Sequence, residues 1–125
     1  MANILIVEDD HESLRIASNR LREAGHKVIT ADNLGRALET TSTLKSFKVT
    51  IAILDGNLKA EAKNGNDGKM IANACRRDCP GIKIICWSRQ EYDWGDVYCP
   101  KGPGYNQLIQ TVNDLIENKP ARLEV

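Results

Sequence analysis

Short unbroken apolar runs alternate along the chain with longer stretches whose apolar residues recur at helical spacing. Ile4-Leu5-Ile6-Val7 has no polar alternation and is rich in β-branched residues, as a parallel strand covered on both faces requires. It predicts a central first strand. Asp10 then offers an N-cap, Leu14, Ala17, Leu21 and Ala24 share one face, and Gly25 supplies a stop, so a helix is expected over about 10–24. His26 to Thr30 reads as a second strand, Asn33 to about Lys45 as a second helix carrying Leu34, Ala37, Leu38 and Leu44, and Val49 to Leu54 as a third strand.

From Asp55 to Gly68 the apolar period disappears among Gly, Asn, Lys and Ala, which predicts a long surface loop. A helix resumes near Asp67, turns Met70, Ile71, Ala74 and Cys75 toward the core, and ends before Pro80-Gly81. Ile82 to Trp87 makes a fourth strand and Asp96 to Cys99 a short fifth. Tyr105, Leu108, Ile109, Val112, Leu115 and Ile116 define a C-terminal helix. Strands alternating with helices predict an α/β fold around a parallel sheet. One connection breaks the pattern. Parallel strands need a crossover of roughly a dozen residues, usually helical, yet only Arg89 to Gly95 separates the last two strands. That segment is expected to form one turn at most, with Tyr92 or Trp94 packing where a helix would otherwise lie.

Composition narrows the functional classes. The 125 residues suit one domain with one core. Seventeen Lys+Arg balance seventeen Asp+Glu, so the broad basic field of a nucleic-acid binder is missing and no direct nucleic-acid partner is expected. Cys75, Cys79, Cys86 and Cys99 are dispersed, without the paired spacing of a metal site, and are expected to be reduced, buried thiols. The apolar runs are too short to span a membrane and no signal peptide is evident, so a soluble, cytoplasmic chain without membrane association is expected.

In an open parallel sheet, ligands bind in the crevice outside the carboxyl ends of the strands. Glu8 and Asp9 end the first strand, Asp55 the third and Ser88 the fourth, while Lys101 follows the fifth. Three carboxylates, a hydroxyl and an ammonium are thus expected on one rim. Two carboxylates about 4 Å apart repel by on the order of 1 kcal/mol in water and about 4 at an effective dielectric of 20, so a cation must offset them. A hard divalent ion such as Mg²⁺ accepts such ligands together with water and phosphate oxygens. The arrangement suits phosphoryl transfer, with an aspartate attacking phosphorus.

Ile-Leu-Ile-Val-Glu-Asp-Asp at 4–10, Asp55 after Ile-Ala-Ile-Leu, Ser88 after Ile-Ile-Cys-Trp, and Val-Tyr-Cys-Pro-Lys at 97–101 resemble the receiver domain of bacterial response regulators over about 1–118. The resemblance implies a flavodoxin-like five-stranded parallel sheet of order 2-1-3-4-5 with helices on both faces, here with the helix before the last strand short or missing. Residues 1–118 would form the receiver domain and 119–125 a C-terminal tail. It further implies that Asp55 accepts a phosphoryl group from a sensor histidine kinase or histidine phosphotransfer protein. Glu8, Asp9, Asp55 and the backbone carbonyl of Asn57 would hold Mg²⁺. Ser88 would move to bond the phosphoryl group, Lys101 would pair with it, and the Tyr98 ring would enter the vacated space. Such a module is not a conventional enzyme, since it catalyses at most its own phosphorylation and dephosphorylation. It would signal to a downstream protein target as a monomer or weak dimer, standing alone because only a short polar tail follows Ile116.

Other readings stay beside these. Asp10 is read as a helix cap, His11 and His26 as surface residues, and Tyr98 either as switch or as core filler. The loop after Asp55 is longer than usual and lacks the common proline; it is a neutral insertion, or a lid or partner-docking element using Lys59 and Lys63. Lys101-Gly102 replaces the commoner Lys-Pro. A flavin carrier is disfavoured by the acidic Glu8-Asp9-Asp10 run, and a dehalogenase-type phosphatase by Asn57, which is no general acid. The remaining alternative is a degenerate receiver, a phosphorylation-independent protein-binding module. The resemblance also implies that Asn57 and Gln90, at positions that in relatives influence how water reaches the phosphoryl group, would give a short-lived acyl phosphate.

Overall fold

The computed structural model describes residues 1–58 and 65–117. Its five strands, β1 (Asn3–Val7), β2 (Lys27–Ala31), β3 (Ile51–Leu54), β4 (Lys83–Ser88) and β5 (Val97–Pro100), form one sheet in the order β2-β1-β3-β4-β5. All neighbouring pairs are parallel; Ile4 lies beside Val28 on one side and Ile51 on the other. The central strands β1 and β3 are apolar on both faces because both faces are covered.

Alternation along the strands divides the core in two. Leu5, Val7, Ala52, Leu54, Ile84 and Cys86 face helices α2 (Leu34–Thr40) and α3 (Asn66–Asp78). Ile4, Ile6, Ile51, Ile53, Ile85 and Trp87 face α1 (His11–Glu23) and α4 (Asn106–Ile116). Asp10 caps α1, accepting from the Glu12 amide at 3.3 Å and the Ser13 hydroxyl at 2.9 Å.

Several expectations need correction. The second helix ends at Thr40 and continues only as a 3₁₀ turn over Thr41–Thr43, since hydroxyls of Thr40, Thr41, Ser42 and Thr43 bond backbone carbonyls three or four residues back and compete with the regular ladder. Met70 lies on the outer side of α3 and is exposed, as is Ile116 at the end of α4. His26 is buried rather than superficial: its Nδ1 accepts from the Ala2 amide at 3.0 Å. All four cysteines are free, and Cys75, Cys86 and Cys99 are buried, whereas Cys79 is half-buried. The tail expected at 119–125 lies outside the described residues, as do Lys59 and Lys63.

The connection from β4 to β5 contains no helix. Trp94 is buried in the α2/α3 half-core and Tyr92 packs on it, the rings stacked with centroids 6.2 Å apart. Asp96 closes the segment onto β4: its amide donates to the Ile84 carbonyl at 2.8 Å and its carboxylate accepts from the Ile84 amide at 2.7 Å. Among the described residues no helix is long and apolar enough to cross a membrane.

Candidate phosphoacceptor site

The parallel sheet delivers β1, β3, β4 and β5 to one rim, and the polar residues ending these strands meet there. Glu8, Asp9 and Asp55 each offer a carboxylate oxygen within 4.8 Å of the others. Glu8 and Asp55 are buried; Asp9 opens to solvent. The chain is held locally by strand continuation, with the Glu8 amide donating to the Ala31 carbonyl and the Asp55 amide to the Val7 carbonyl, both at 3.1 Å.

Lys101 reaches back into this cluster from the turn after β5. Its Nζ donates to Glu8 Oε1 and lies 3.3 Å from Asp55 Oδ2, while the same ammonium sits 4.8 Å from the Trp87 ring centroid. Burial alone would pull the Lys101 ammonium below its usual range, but Asp55 and Glu8 outweigh it and hold it above. Burial pushes the Glu8 carboxyl up to about 8, and the neighbouring Asp55 adds to the rise against the opposing pull of Lys101. One ammonium thus serves two buried carboxylates on this rim.

Ser88 ends β4, buried, and its hydroxyl faces the loop after Asp55: a Cβ on Gly56 would stand 3.2 Å from Ser88 Oγ. Its carbonyl accepts from the Lys101 amide at 3.0 Å and from the Tyr98 hydroxyl at 3.1 Å. Tyr98 is half-buried against the α2/α3 half-core, so it is tied to Ser88 through the backbone as well as being a packing residue. Asn57 stands two residues after Asp55, its amide donating to Asp55 Oδ1 at 3.3 Å. His11 is exposed and pairs with Asp32 at 3.1 Å, away from this chemistry.

Comparison with solved structures matches this frame closely. TrrA of Thermotoga maritima, a response regulator crystallised with Mg²⁺ and beryllofluoride, is 24% identical, with 92% of this chain aligned to 99% of that one at a TM-score of 0.73. The CheY-like receiver domain protein of Methanospirillum hungatei gives 0.77 at 20% identity, over 94% of this chain and 95% of that one. The chain has the fold of a response regulator receiver domain. The receiver domain of the hybrid histidine kinase CckA shares that receiver fold too, at 24% identity and 0.71, covering 90% of this chain and 96% of the other. No protein-family model and no curated protein matches the sequence. Within the receiver fold, Glu8, Asp9 and Asp55 would suit a hard divalent cation, since all three offer carboxylate oxygens and Asp9 is open to solvent.

Sequence reasoning missed one contact in this region. The Tyr92 hydroxyl accepts from Asn57 Nδ2 at 3.0 Å, although the ring's packing role was expected. Its signal was the cluster Gly56, Gly65 and Gly68, three positions without side chains opposite two aromatic rings.

Proposed function

We propose that this chain is a phosphoacceptor module of two-component signalling, phosphorylated on Asp55 in a Mg²⁺-dependent reaction and acting by conformational change on a downstream protein. The observation carrying the reading is the meeting of Glu8, Asp9 and Asp55 with the Lys101 ammonium on one rim of a receiver fold. Asp55 Oδ attacks phosphorus of a phosphohistidine on a sensor histidine kinase or histidine phosphotransfer protein, the P–N bond breaks, and the imidazole leaves with the bonding pair. Glu8, Asp9, Asp55 and the Asn57 carbonyl would hold Mg²⁺, which neutralises charge on the transferring oxygens.

Lys101 then exchanges a carboxylate partner for a phosphoryl oxygen, and the Ser88 hydroxyl gains an acceptor beside Gly56. Motion of Ser88 reaches Tyr98 through the bond to the Ser88 carbonyl. The product is a population shift between two packings, not turnover of an external substrate. The reading places the protein in the cytoplasm, where such kinases present their phosphohistidine.

Incubation with acetyl phosphate and Mg²⁺ followed by intact-mass measurement tests this. One phosphoryl adduct, lost in Asp55→Asn and in the absence of Mg²⁺, is the expected result. The helix-free β4–β5 crossover favours a second reading, a phosphorylation-independent protein-binding module. Absence of an adduct, together with no response to beryllofluoride and Mg²⁺, decides for that second reading.

A further inference from the structure

The crossover that lacks a helix does more than fill space. The Tyr92 ring lies against both ends of the acceptor loop: a Cβ on Gly56 would come within 2.5 Å of its Cε2, and one on Gly65 within 2.5 Å of its Cδ1. Gly65 also has φ of +76°, so it is glycine on two counts. Behind the ring stands Trp94, stacked nearly parallel at 9° and buried against Gly68. The aromatic pair is thus anchored in the core and reaches the loop with little freedom.

Polar contacts extend this anchor to the acceptor. Asn57 Nδ2 donates to the Tyr92 hydroxyl at 3.0 Å, Asn57 Oδ1 accepts from the Gly65 amide at 3.0 Å, and the Asn57 amide donates to Asp55 Oδ1 at 3.3 Å. A single asparagine side chain therefore ties the start of the loop to its end and to the crossover. Its backbone amide bonds the carboxylate proposed to react.

We infer that Tyr92 is a positioning residue for the acceptor loop: its hydroxyl fixes the Asn57 side chain, and through it the peptide that completes the cation site beside Asp55. This rests on the proposed phosphoacceptor reading and adds to it a residue outside the charged rim. Tyr92 is not one of the carboxylate, hydroxyl or ammonium groups of that rim. It sets where the Asn57 carbonyl stands, and any displacement of that peptide on phosphorylation is passed to the 89–95 surface through the same bond.

The test compares wild type, Tyr92→Phe, Asn57→Ala and the double variant by calorimetric titration with Mg²⁺ alone, and by amide hydrogen exchange in metal-free protein. Tyr92→Phe keeps the ring and deletes only the hydroxyl. Mg²⁺ affinity should fall about fivefold, the factor one net hydrogen bond carries. Exchange at the Gly65 amide should accelerate while exchange in β3 stays unchanged. The double variant should bind no more weakly than Asn57→Ala, because the two side chains act as one unit. Equal Mg²⁺ affinity in wild type and Tyr92→Phe, or additive losses in the double variant, or equal acceleration in β3, overturns the positioning role and leaves the phosphoacceptor reading standing. Wild type that takes up no Mg²⁺ overturns both.

Discussion

At the residue scale, His26 shows how a single ring acquires a pH signature from its surroundings. Burial, and then the nearby N-terminal ammonium, lower its pKa below the ordinary value, against a smaller opposing bond from Asn113. The unfolded chain takes up a proton near pH ~6.5 that the folded ring refuses, so stability from this site is complete above that pH and is lost as pH falls through the lower folded value. Glu8, raised by burial, works in the opposite sense over the same range, so the site is isolated by difference: from about pH 7.5 to about 5.5 the urea midpoint of the wild type should fall relative to that of His26→Gln. Asp10→Ala removes the acceptor for the Glu12 amide and the Ser13 hydroxyl, and should cost about 1 kcal/mol in the same assay. The cap was legible because a short acidic residue stood directly before a periodic apolar stripe. The burial of His26 was not, since a lone histidine between a glycine and a strand carries no period; its partner, the Ala2 amide, is 24 positions away. Glu8, Asp55 and Lys101 were legible in a different way, as polar residues ending apolar runs.

At the scale of elements, the inner strands β1, β3 and β4 could be read from four- to six-residue apolar runs because each is covered on both faces. The second helix could not, because its sequence keeps apolar spacing into Leu44 while its hydroxyls undo the last turn. Met70 followed the same logic: it fell within a periodic window, but α3 turns Ile71, Ala74 and Cys75 inward instead. The shortened crossover was readable from length alone. What length could not reveal was the dependence of α3's first turn on the absence of a side chain at Gly68, whose added Cβ would overlap the Trp94 indole. Gly68→Ala should lower unfolding free energy by about 1–3 kcal/mol, overpacking being the cause. Trp94→Ala should cost more, about 3–5 kcal/mol, by opening a cavity in the α2/α3 half-core. Denaturant titrations followed by circular dichroism measure both.

For the whole molecule, the sheet order brings a buried carboxylate pair, Glu8 and Asp55, to one rim, and this is a charge imbalance the fold tolerates through Lys101. A ligand binding only the folded state stabilises it by mass action, about 2.7 kcal/mol at a hundredfold excess over Kd. Mg²⁺ should therefore raise the thermal midpoint of the wild type, and Asp9→Asn should diminish that gain; a midpoint insensitive to Mg²⁺ contradicts the proposed cation site. The two faces of the sheet also happen to be labelled. Trp94 belongs to one half-core and Trp87 to the other, so Trp87→Phe and Trp94→Phe each leave one indole as the sole emitter on its own side. Fluorescence from the two proteins gives independent witnesses to cooperativity: coincident melting curves describe one all-or-none unit, and separated curves a molecule whose halves let go in turn.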